Sequence, residues 1–512
     1  MSQITVNDLT FYYEGSDHHI FEKVSFSIDT NWKLGFIGRN GKGKTTFLNL
    51  LLGKLEYRGT ITASVLFDYF PYLLSPEMME RCAADFVEEI RPDCESWKIM
   101  CELQKLDADA EILYRPFRTL SHGERTKVML AILFSRDNAF LLIDEPTDHL
   151  DWESREAVKQ YLIKKRGFIL VSHDRDLLDA CIDHVLVLNR YSIEVQSGNF
   201  SSWWENKSRK DAFSKMENDK HKKEIRHLKV ASRRARQWAD KNEDRKIGID
   251  PIKDHDRGCG ARPYIGGKTK KMQSRIKQME NRIEREIEEK EGLLKDIEEP
   301  VELKLSPLCH KKEVLISLSD YGLGYEKAEK RLFQHLNFTL HRGDRMFLHG
   351  GNGCGKSSLI KAILMHMEAM PGGRQIKIEE EGKLETVSGL TVSYIDQDTS
   401  FLRGNVSGFC AARDLDESLF CAILRQLGVE RIQFMKNMED FSQGQKKKVL
   451  IAASLMTEAH LYIWDEPLNY IDIFSRIQLE NLLLKYKPTM LVVEHDVRFR
   501  EQIATKTVCL KI

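Results

Sequence analysis

No uninterrupted run of about 18 apolar residues exists in the chain, so none of its segments is built to span a bilayer as a helix. The opening residues, MSQITVNDLTFYYEG, lack the basic start and apolar core of a secretory signal, and a cytoplasmic location is expected. The ten cysteines stand apart at 82, 94, 101, 181, 259, 309, 354, 410, 421 and 509, with no CxxC pair. That scatter argues against a zinc clip or an iron–sulfur cluster, and reduced thiols are expected. Charge of one sign is not in excess either: 78 Lys and Arg balance 78 Asp and Glu. The chain as a whole therefore gives no sign of a polyanionic partner. Between 205 and 247 glycine and proline are both missing, which excludes a turn-rich domain there.

What is present is the composition of a folded protein, 42% hydrophobic and 30% charged over 512 residues, enough for two to four domains. It is also a duplication. GRNGKGKT at 38–45 returns as GGNGCGKS at 350–357, LSHGERTKV at 120–128 as FSQGQKKKV at 441–449, LLIDEP at 141–146 as YIWDEP at 462–467, and VSHD at 171–174 as VEHD at 493–496. Four matched strings in one order define two halves, roughly 1–200 and 312–512. Each half opens with strand-like alternation, and each glycine-rich string follows a short apolar run (LGFIG, RMFLHG) and precedes a helix-like segment (TTFLNLLL, SSLIKAIL). Later apolar runs such as FLLID and FILVS read as buried strands. The fold class predicted is α/β, with a mostly parallel sheet in each half.

GxxxxGK[ST] between a strand and a helix is a phosphate cradle: glycines admit backbone N–H groups to the phosphates, the lysine reaches the β and γ groups, and the hydroxyl ligates Mg²⁺. In the first half the cradle is Gly38, Arg39, Asn40, Gly41, Lys42, Gly43, Lys44, Thr45 and Thr46; in the second it is Gly350, Gly351, Asn352, Gly353, Cys354, Gly355, Lys356, Ser357 and Ser358. Asp144 and Asp465 end apolar strands, where a carboxylate holds Mg²⁺ directly or through water. Glu145 and Glu466 follow and are candidates to orient or deprotonate an attacking water. A helix cap with an acidic first turn is the alternative for these acids, and the companion loops argue against it. His173 and His495 come just past the next strand in each half and are candidate catalytic groups.

These strings resemble the ABC ATPase family over both halves. The resemblance implies two cassettes facing head to tail, each ATP lying between one phosphate loop and the opposite signature. The signature residues matched are Ser121, Gly123 and Glu124 in LSHGE and Ser442, Gly444 and Gln445 in FSQGQ. Lys44 and Thr45 would face the Ser442 segment, and Lys356 and Ser357 the Ser121 segment. Each signature would bring a serine hydroxyl and helix-start N–H groups to the γ-phosphate. Tyr13 and Tyr325 match the aromatic that stacks on adenine, with ordinary strand packing as the alternative. Asp151 and Asp472 match the D-loop. The family's Q-loop glutamine, a Mg²⁺ ligand, is matched by Gln397, whereas the first half places Tyr72 there. Tyrosine has no amide oxygen to offer, so the first site is expected to differ in metal coordination or turnover. Thr45, Asp144, Ser357, Gln397 and Asp465 are thus the expected Mg²⁺ set.

The boundaries predicted are a first ATPase domain at 1–204, a linker at 205–305 and a second ATPase domain at 306–512. In the linker, Ile225, Leu228, Ala231, Ala235 and Trp238, extended by Phe213 and Met216, form one helical stripe. Met272, Ile276, Met279, Ile283, Ile287, Leu294 and Ile297 form another. Two antiparallel helices joined near 246–268 would pair these faces. Residues 220–277 carry 19 Lys and Arg against 7 Asp and Glu, a net +12 that the rest of the chain balances. A basic helical pair on an acidic ATPase suits a nucleic acid, through phosphate neutralisation and stacking; a solvated, salt-bridged pair is the alternative. The RNA contacts expected are Arg233, Arg234, Arg236, Trp238, Lys246, Arg257, Arg262 and Lys268.

This layout resembles the ABC-F subfamily. DEPLNYIDIFSR at 465–476 and the linker run from DRG at 256–258 to 298 are similar to its antibiotic-resistance branch of Lsa and Vga type. The short span of about 50 residues between Tyr72 and the first signature fits that branch too. The resemblance implies a monomer that binds the ribosomal exit site. Its linker would reach large-subunit rRNA and the P-site tRNA and counter lincosamides, pleuromutilins and streptogramin A. A housekeeping translation factor of the same subfamily, a transporter's ATPase subunit and a DNA-associated ATPase stay open as alternatives.

Overall fold

The computed structural model of the chain describes residues 2–13, 19–92, 94–136, 138–148, 150–189, 192–247, 303–325, 331–369 and 378–510, with isolated positions 274, 277, 278, 282 and 283. From 231 to 247 it describes the backbone, with the side chains of Arg233, Arg234 and Gln237. The chain divides into two compact units, one made of Met1–Trp203 with Val301–Ile512 and the other of Trp204–Pro300.

The larger unit contains two lobes of like design. The first lobe is built on β1 (Gln3–Phe11), β2 (Phe21–Asp29), β3 (Lys33–Ile37), β4 (Arg58–Ala63), β5 (Leu66–Phe70), β6 (Ala139–Asp144), β7 (Phe168–Val171), β8 (His184–Leu188) and β9 (Ile193–Ser197). These strands form a three-stranded antiparallel sheet, β2-β1-β4, and a six-stranded sheet, β5-β6-β7-β3-β8-β9, parallel except for β9. Strand β1 shows why the antiparallel sheet has one buried face. Ile4 and Val6 point inward, a register shift follows at Asp8 (φ 51°), and Leu9 and Phe11 then return to the same side. The shift is a bulge that re-aims the side chains. By contrast β7, FILV, is buried throughout, as a central parallel strand covered on both faces must be. The helix Lys44–Leu51 lies against the sheets, its Phe47 ring meeting Phe21 and Phe36 edge to face.

The second lobe repeats this plan with β10 (Val314–Tyr325), β11 (Phe333–His341), β12 (Arg345–His349), β13 (Ile378–Thr386), β14 (Val392–Ile395), β15 (Leu461–Asp465), β16 (Met490–Val493) and β17 (Lys506–Cys509). Its sheets run β11-β10-β13, antiparallel, and β14-β15-β16-β12-β17, parallel. The α/β class holds, with a separate antiparallel sheet added to each parallel one. Between β5 and β6, and between β14 and β15, helical insertions carry the signature helices His122–Phe134 and Gln443–Met456.

Up to Ile247 the chain described in the other unit belongs to one continuous helix, Phe200–Ile247, unbroken across the polar stretch at 217–224. Ile225 is buried and Leu228 half-buried, but Phe213 and Met216 are 61% and 72% exposed. The expected extension of the apolar stripe to those two residues is therefore corrected: spacing puts them on a helix, and nothing in spacing alone covers them. Arg233 and Arg234 are exposed on this helix. Arg236, Trp238 and Lys246 lie on its described backbone, their side chains outside the description. Arg257, Arg262, Lys268, the expected tip and most of the second stripe lie outside the described residues.

Candidate functional site

Each phosphate loop leaves its strand and turns into a helix through a glycine that only glycine suits. Gly43 and Gly355 cap their helices at φ 105° and 95°, in the left-handed region that side chains avoid. In the first lobe Lys44 is buried and curls back on its own loop, donating to the Gly38 carbonyl at 2.8 Å and to Asn40 Oδ1 at 3.1 Å. Burial lowers its ammonium's pKa, against the pull of Glu145, Asp472 and Asp144. Lys356 makes the matching bonds to the Gly350 and Gly351 carbonyls at 2.9 and 2.8 Å. Cys354 lies beneath it, buried, its sulfur 3.9 Å from the ammonium.

Thr45 Oγ1 donates to Asp144 Oδ2 at 3.2 Å. A hydroxyl beside a strand-end carboxylate is an all-oxygen pair, which a hard cation such as Mg²⁺ takes together with phosphate oxygens. The residues present fit the ion. Burial pushes the Asp144 carboxyl up and the Asp465 carboxyl up to about 6, against the nearby Ser357 hydroxyl.

The two glutamates sit in the same unusual backbone. Strand order continues one residue past each aspartate, Glu145 N–H donating to Val171 O and Glu466 N–H to Val493 O, both at 2.9 Å. The chain then turns at φ 48° and 47°, a costly conformation for a non-glycine residue and common at working sites. His173 donates its backbone N–H to Glu145 Oε2 at 3.1 Å, and its Nε2 lies 3.4 Å from Oε1. Burial first, and then Lys44, hold that imidazole well below its usual pKa, while burial, Asp148 and Asp144 push the Glu145 carboxyl well up; the contact is therefore no ion pair, and Glu145 Oε1 accepts no hydrogen bond among the described residues. His495 Nε2 lies 3.8 Å from Glu466 Oε1, and burial lowers its pKa to about 3.

The lobes meet at these loops. A cavity of about 420 Å³ is lined by Asn40, Gly41, Glu145 and His173 from the first lobe and by Ser442, Gly444 and Gln445 from the second. Asn40 Nδ2 donates to the Tyr470 carbonyl at 2.9 Å. Gly444 is there because a Cβ would stand 2.6 Å from that same oxygen. Lys42 reaches Glu430 at 2.8 Å. In the reciprocal direction the backbone N–H of Asn352 bonds the Asp151 carboxylate. A larger cavity of about 570 Å³ within the first lobe is lined by Tyr13, Lys44, Thr45, Thr46, Tyr69 and Asp144, among others.

The remaining candidates fall as follows. Tyr13 and Tyr325 are exposed, and their hydroxyls pair with Thr46 Oγ1 at 2.9 Å and Ser358 Oγ at 2.7 Å. Ser121 and Ser442 are N-caps, accepting from the N–H of Glu124 and Gln445, whose side chains reach back to the serine N–H. The Glu124 and Gln445 side chains thus close a capping box at each helix start. Gln397 Nε2 donates to Glu466 Oε2 at 2.8 Å.

Tyr72 does occupy the place of Gln397: Phe70 pairs with Ile143 as Ile395 pairs with Trp464. Its hydroxyl turns to Asp68 Oδ2 at 3.1 Å and accepts from Arg91 at 3.0 Å. The phenol that reaches the aspartate is Tyr69, donating to Asp144 Oδ2 at 3.1 Å. Sequence reading missed it, though alternation along β5 places 69 opposite 68 and 70 in facing. Also missed were Lys448, which donates to Asp472 Oδ2 at 2.7 Å in the interior, and Asn469, which donates to Glu466 Oε2 at 2.7 Å.

A family model described as "ABC transporter" matches residues 21–148 and again 333–469. Among curated proteins, the chain is 27% identical over 503 residues to the ribosome protection protein VmlR of Bacillus subtilis (strain 168), covering 96% of this chain and 84% of that protein. It is 26% identical over 525 residues to the erythromycin resistance ATP-binding protein MsrA of Staphylococcus epidermidis, covering 97% and 96%. Among solved structures, a chain from the complex of archaeal ribosomal stalk protein aP1 with the archaeal ribosome recycling factor aABCE1 superposes with a TM-score of 0.60 at 18% identity, covering 98% and 87%, a likeness of fold.

Proposed function

The chain belongs to the ABC transporter family, carrying its ATPase domain twice, and from that premise we propose that it is an ABC-F ATPase that protects the ribosome from antibiotics at the peptidyl-transferase centre. The observation that carries the ribosomal reading is similarity along 96% of the chain to a ribosome protection protein. A net +12 over residues 220–277 supports it, because phosphate neutralisation supplies sequence-independent affinity for RNA.

ATP is bound and cleaved at two sites shared between the lobes. One is formed by Lys44, Thr45, Asp144 and Glu145 with the Ser442 signature, the other by Lys356, Ser357, Asp465 and Glu466 with the Ser121 signature. The lining of the inter-lobe cavity supports the first pairing, and the contact of Asp151 with Asn352 supports the second. Mg²⁺ held by each hydroxyl–aspartate pair supplies charge neutralisation on the phosphates. Each glutamate orients the attacking water and takes its proton, beside a neutral imidazole. Binding of two ATP molecules draws the lobes together; hydrolysis lets them part and frees the ribosome.

Two experiments test this. Glu145→Gln combined with Glu466→Gln should lower ATPase turnover by at least about 100-fold and trap the chain on ribosomes in ATP, read by co-sedimentation. A double variant that stays in the supernatant while wild type pellets would overturn the cycle. A susceptibility panel should show raised inhibitory concentrations for lincosamides, pleuromutilins and streptogramin A with wild type and not with the double variant. Unchanged susceptibility alongside ribosome binding would point to a housekeeping factor.

A further inference from the structure

Resting on that ATPase reading, we propose that the two nucleotide sites are unequal by construction: the Glu466 site cleaves ATP rapidly, and the Glu145 site cleaves it slowly and so retains it between turnovers. The inequality lies in what surrounds each glutamate. Both Gln397 Nε2 and Asn469 Nδ2 donate to Glu466 Oε2, at 2.8 and 2.7 Å. A carboxylate only accepts, so both amides must present their N–H groups. Two donors on one oxygen fix the side chain and leave Oε1 on the His495 side, 3.8 Å from Nε2. Groups locked by such neighbours are the ones that act in a set geometry.

Neither donor exists in the first lobe. Asp148 stands where the second lobe has Asn469; it has no N–H to give and brings a like charge toward Glu145. Tyr72 stands where the second lobe has Gln397, and its hydroxyl is committed elsewhere. It donates to Asp68 of β5 and accepts from Arg91, which caps the helix Ala83–Ile90 of the insertion, while Arg91 also pairs with Asp68 directly. The first lobe's insertion is thus tied to its sheet by a closed set of side chains that does not include the glutamate. In the second lobe the same loop position bonds the glutamate itself. A change at Glu466 therefore has a direct route into its own insertion through Gln397, and a change at Glu145 does not.

At either site the water oxygen bonds to the γ-phosphorus as the bridging oxygen leaves on ADP, and the water proton passes to the glutamate. Asn469 and Gln397 are positioning residues for that step at the second site.

The test uses the full chain with Mg²⁺ and ATP, measuring kcat, KM and the nucleotide retained after rapid gel filtration, identified as ATP or ADP. Glu466→Gln should lower kcat at least about 30-fold and Glu145→Gln about two- to threefold. Wild type should retain close to one ATP per chain. Asn469→Asp should lower kcat about tenfold with KM within about twofold, and Asn469→Gln should recover part of it. Asp148→Asn should shorten retention. Equal losses from the two glutamine variants, or no difference between Asn469→Asp and Asn469→Gln, would overturn the proposal. A wild-type chain that neither cleaves nor retains ATP would instead overturn the ATPase reading on which it rests.

Discussion

Arg175 and Val497 hold matching places in the two lobes, each following the aspartate of the His-Asp pair at a strand end, and they make opposite contributions to the joint between lobes. Arg175 crosses to Glu480 with both side chains buried, one of its two bonds measuring 3.0 Å. Val497 faces Lys159, the counterpart of Glu480, across a small cleft, and Lys159 is spent within its own lobe on Asp176 at 2.8 Å and on Glu156. Further along the same joint Arg498 pairs with Asp179 and with Ser201 Oγ, the latter at 3.2 Å. A duplicated chain has kept its phosphate loops alike while its lobe–lobe ties have diverged. Catalytic strings are bound by the geometry of phosphate, whereas a joint needs only some partner on the other side.

The largest effect that would break this comparison is at Glu480. Glu480→Ala strands a buried guanidinium, which costs about 3–5 kcal/mol, read as a fall in the urea midpoint. Val497→Ala on the matching side removes two methyl groups from a half-buried site and costs about 0.5–1.5 kcal/mol. Similar costs for the two would mean that the joint is symmetric in energy even though its residues differ.

Next in size is acid sensitivity. The buried imidazole of His495 is pushed by burial, Lys356 and Arg155 down to about 3, far below its value of about 6.5 in the unfolded chain. As pH falls, the unfolded state takes up this proton first. The stability His495 contributes is complete above about pH 6.5 and is lost as pH falls from there toward 3. By pH 5 the loss is about 2 kcal/mol. Glu494 beside it is raised by burial and acts in the opposite sense, so the informative quantity is a difference between proteins. His495→Gln should lose less stability between pH 7 and pH 5 than wild type, by urea denaturation at both values. An identical acid loss would mean that the imidazole is not buried as a neutral group.

Much of this molecule was legible in its order of residues. The duplication, the strand–loop–helix phosphate cradles, and the aspartate and glutamate at the ends of β6 and β15 are all set by local chemistry. So was the capping box: Ser121 with Glu124 and Ser442 with Gln445 show the S-x-x-E/Q spacing openly, although that spacing was read only for phosphate. The Arg175–Glu480 tie was not legible, because its partners are 305 positions apart and ionic pairing leaves no periodic trace. Phe213 and Met216 misled for the converse reason: they have helical spacing, and spacing records a face without recording how far it is buried.

The smallest expected effect separates the two metal-side tyrosines. Tyr69 donates to Asp144 Oδ2 at 3.1 Å, an oxygen that also accepts from Thr45 at 3.2 Å. Losing one of two donors at a half-buried carboxylate costs about 1 kcal/mol, and Tyr69→Phe alone would mix that loss with any change in ring packing. A double-mutant cycle with Asp144→Asn removes the ambiguity, since packing changes common to both backgrounds cancel. The coupling energy should be about 0.5–1.5 kcal/mol. Tyr394 stands in the same register on β14, opposite Ile463 as Tyr69 is opposite Leu142, but its hydroxyl makes no hydrogen bond among the described residues, and the carboxylate acting on it most strongly is Asp396, ahead of Asp465. Its coupling to Asp465, measured with Tyr394→Phe and Asp465→Asn, should therefore be the smaller. Equal couplings in the two lobes would place both phenols on their aspartates and leave Tyr72 and Asp148 as the features that set the sites apart.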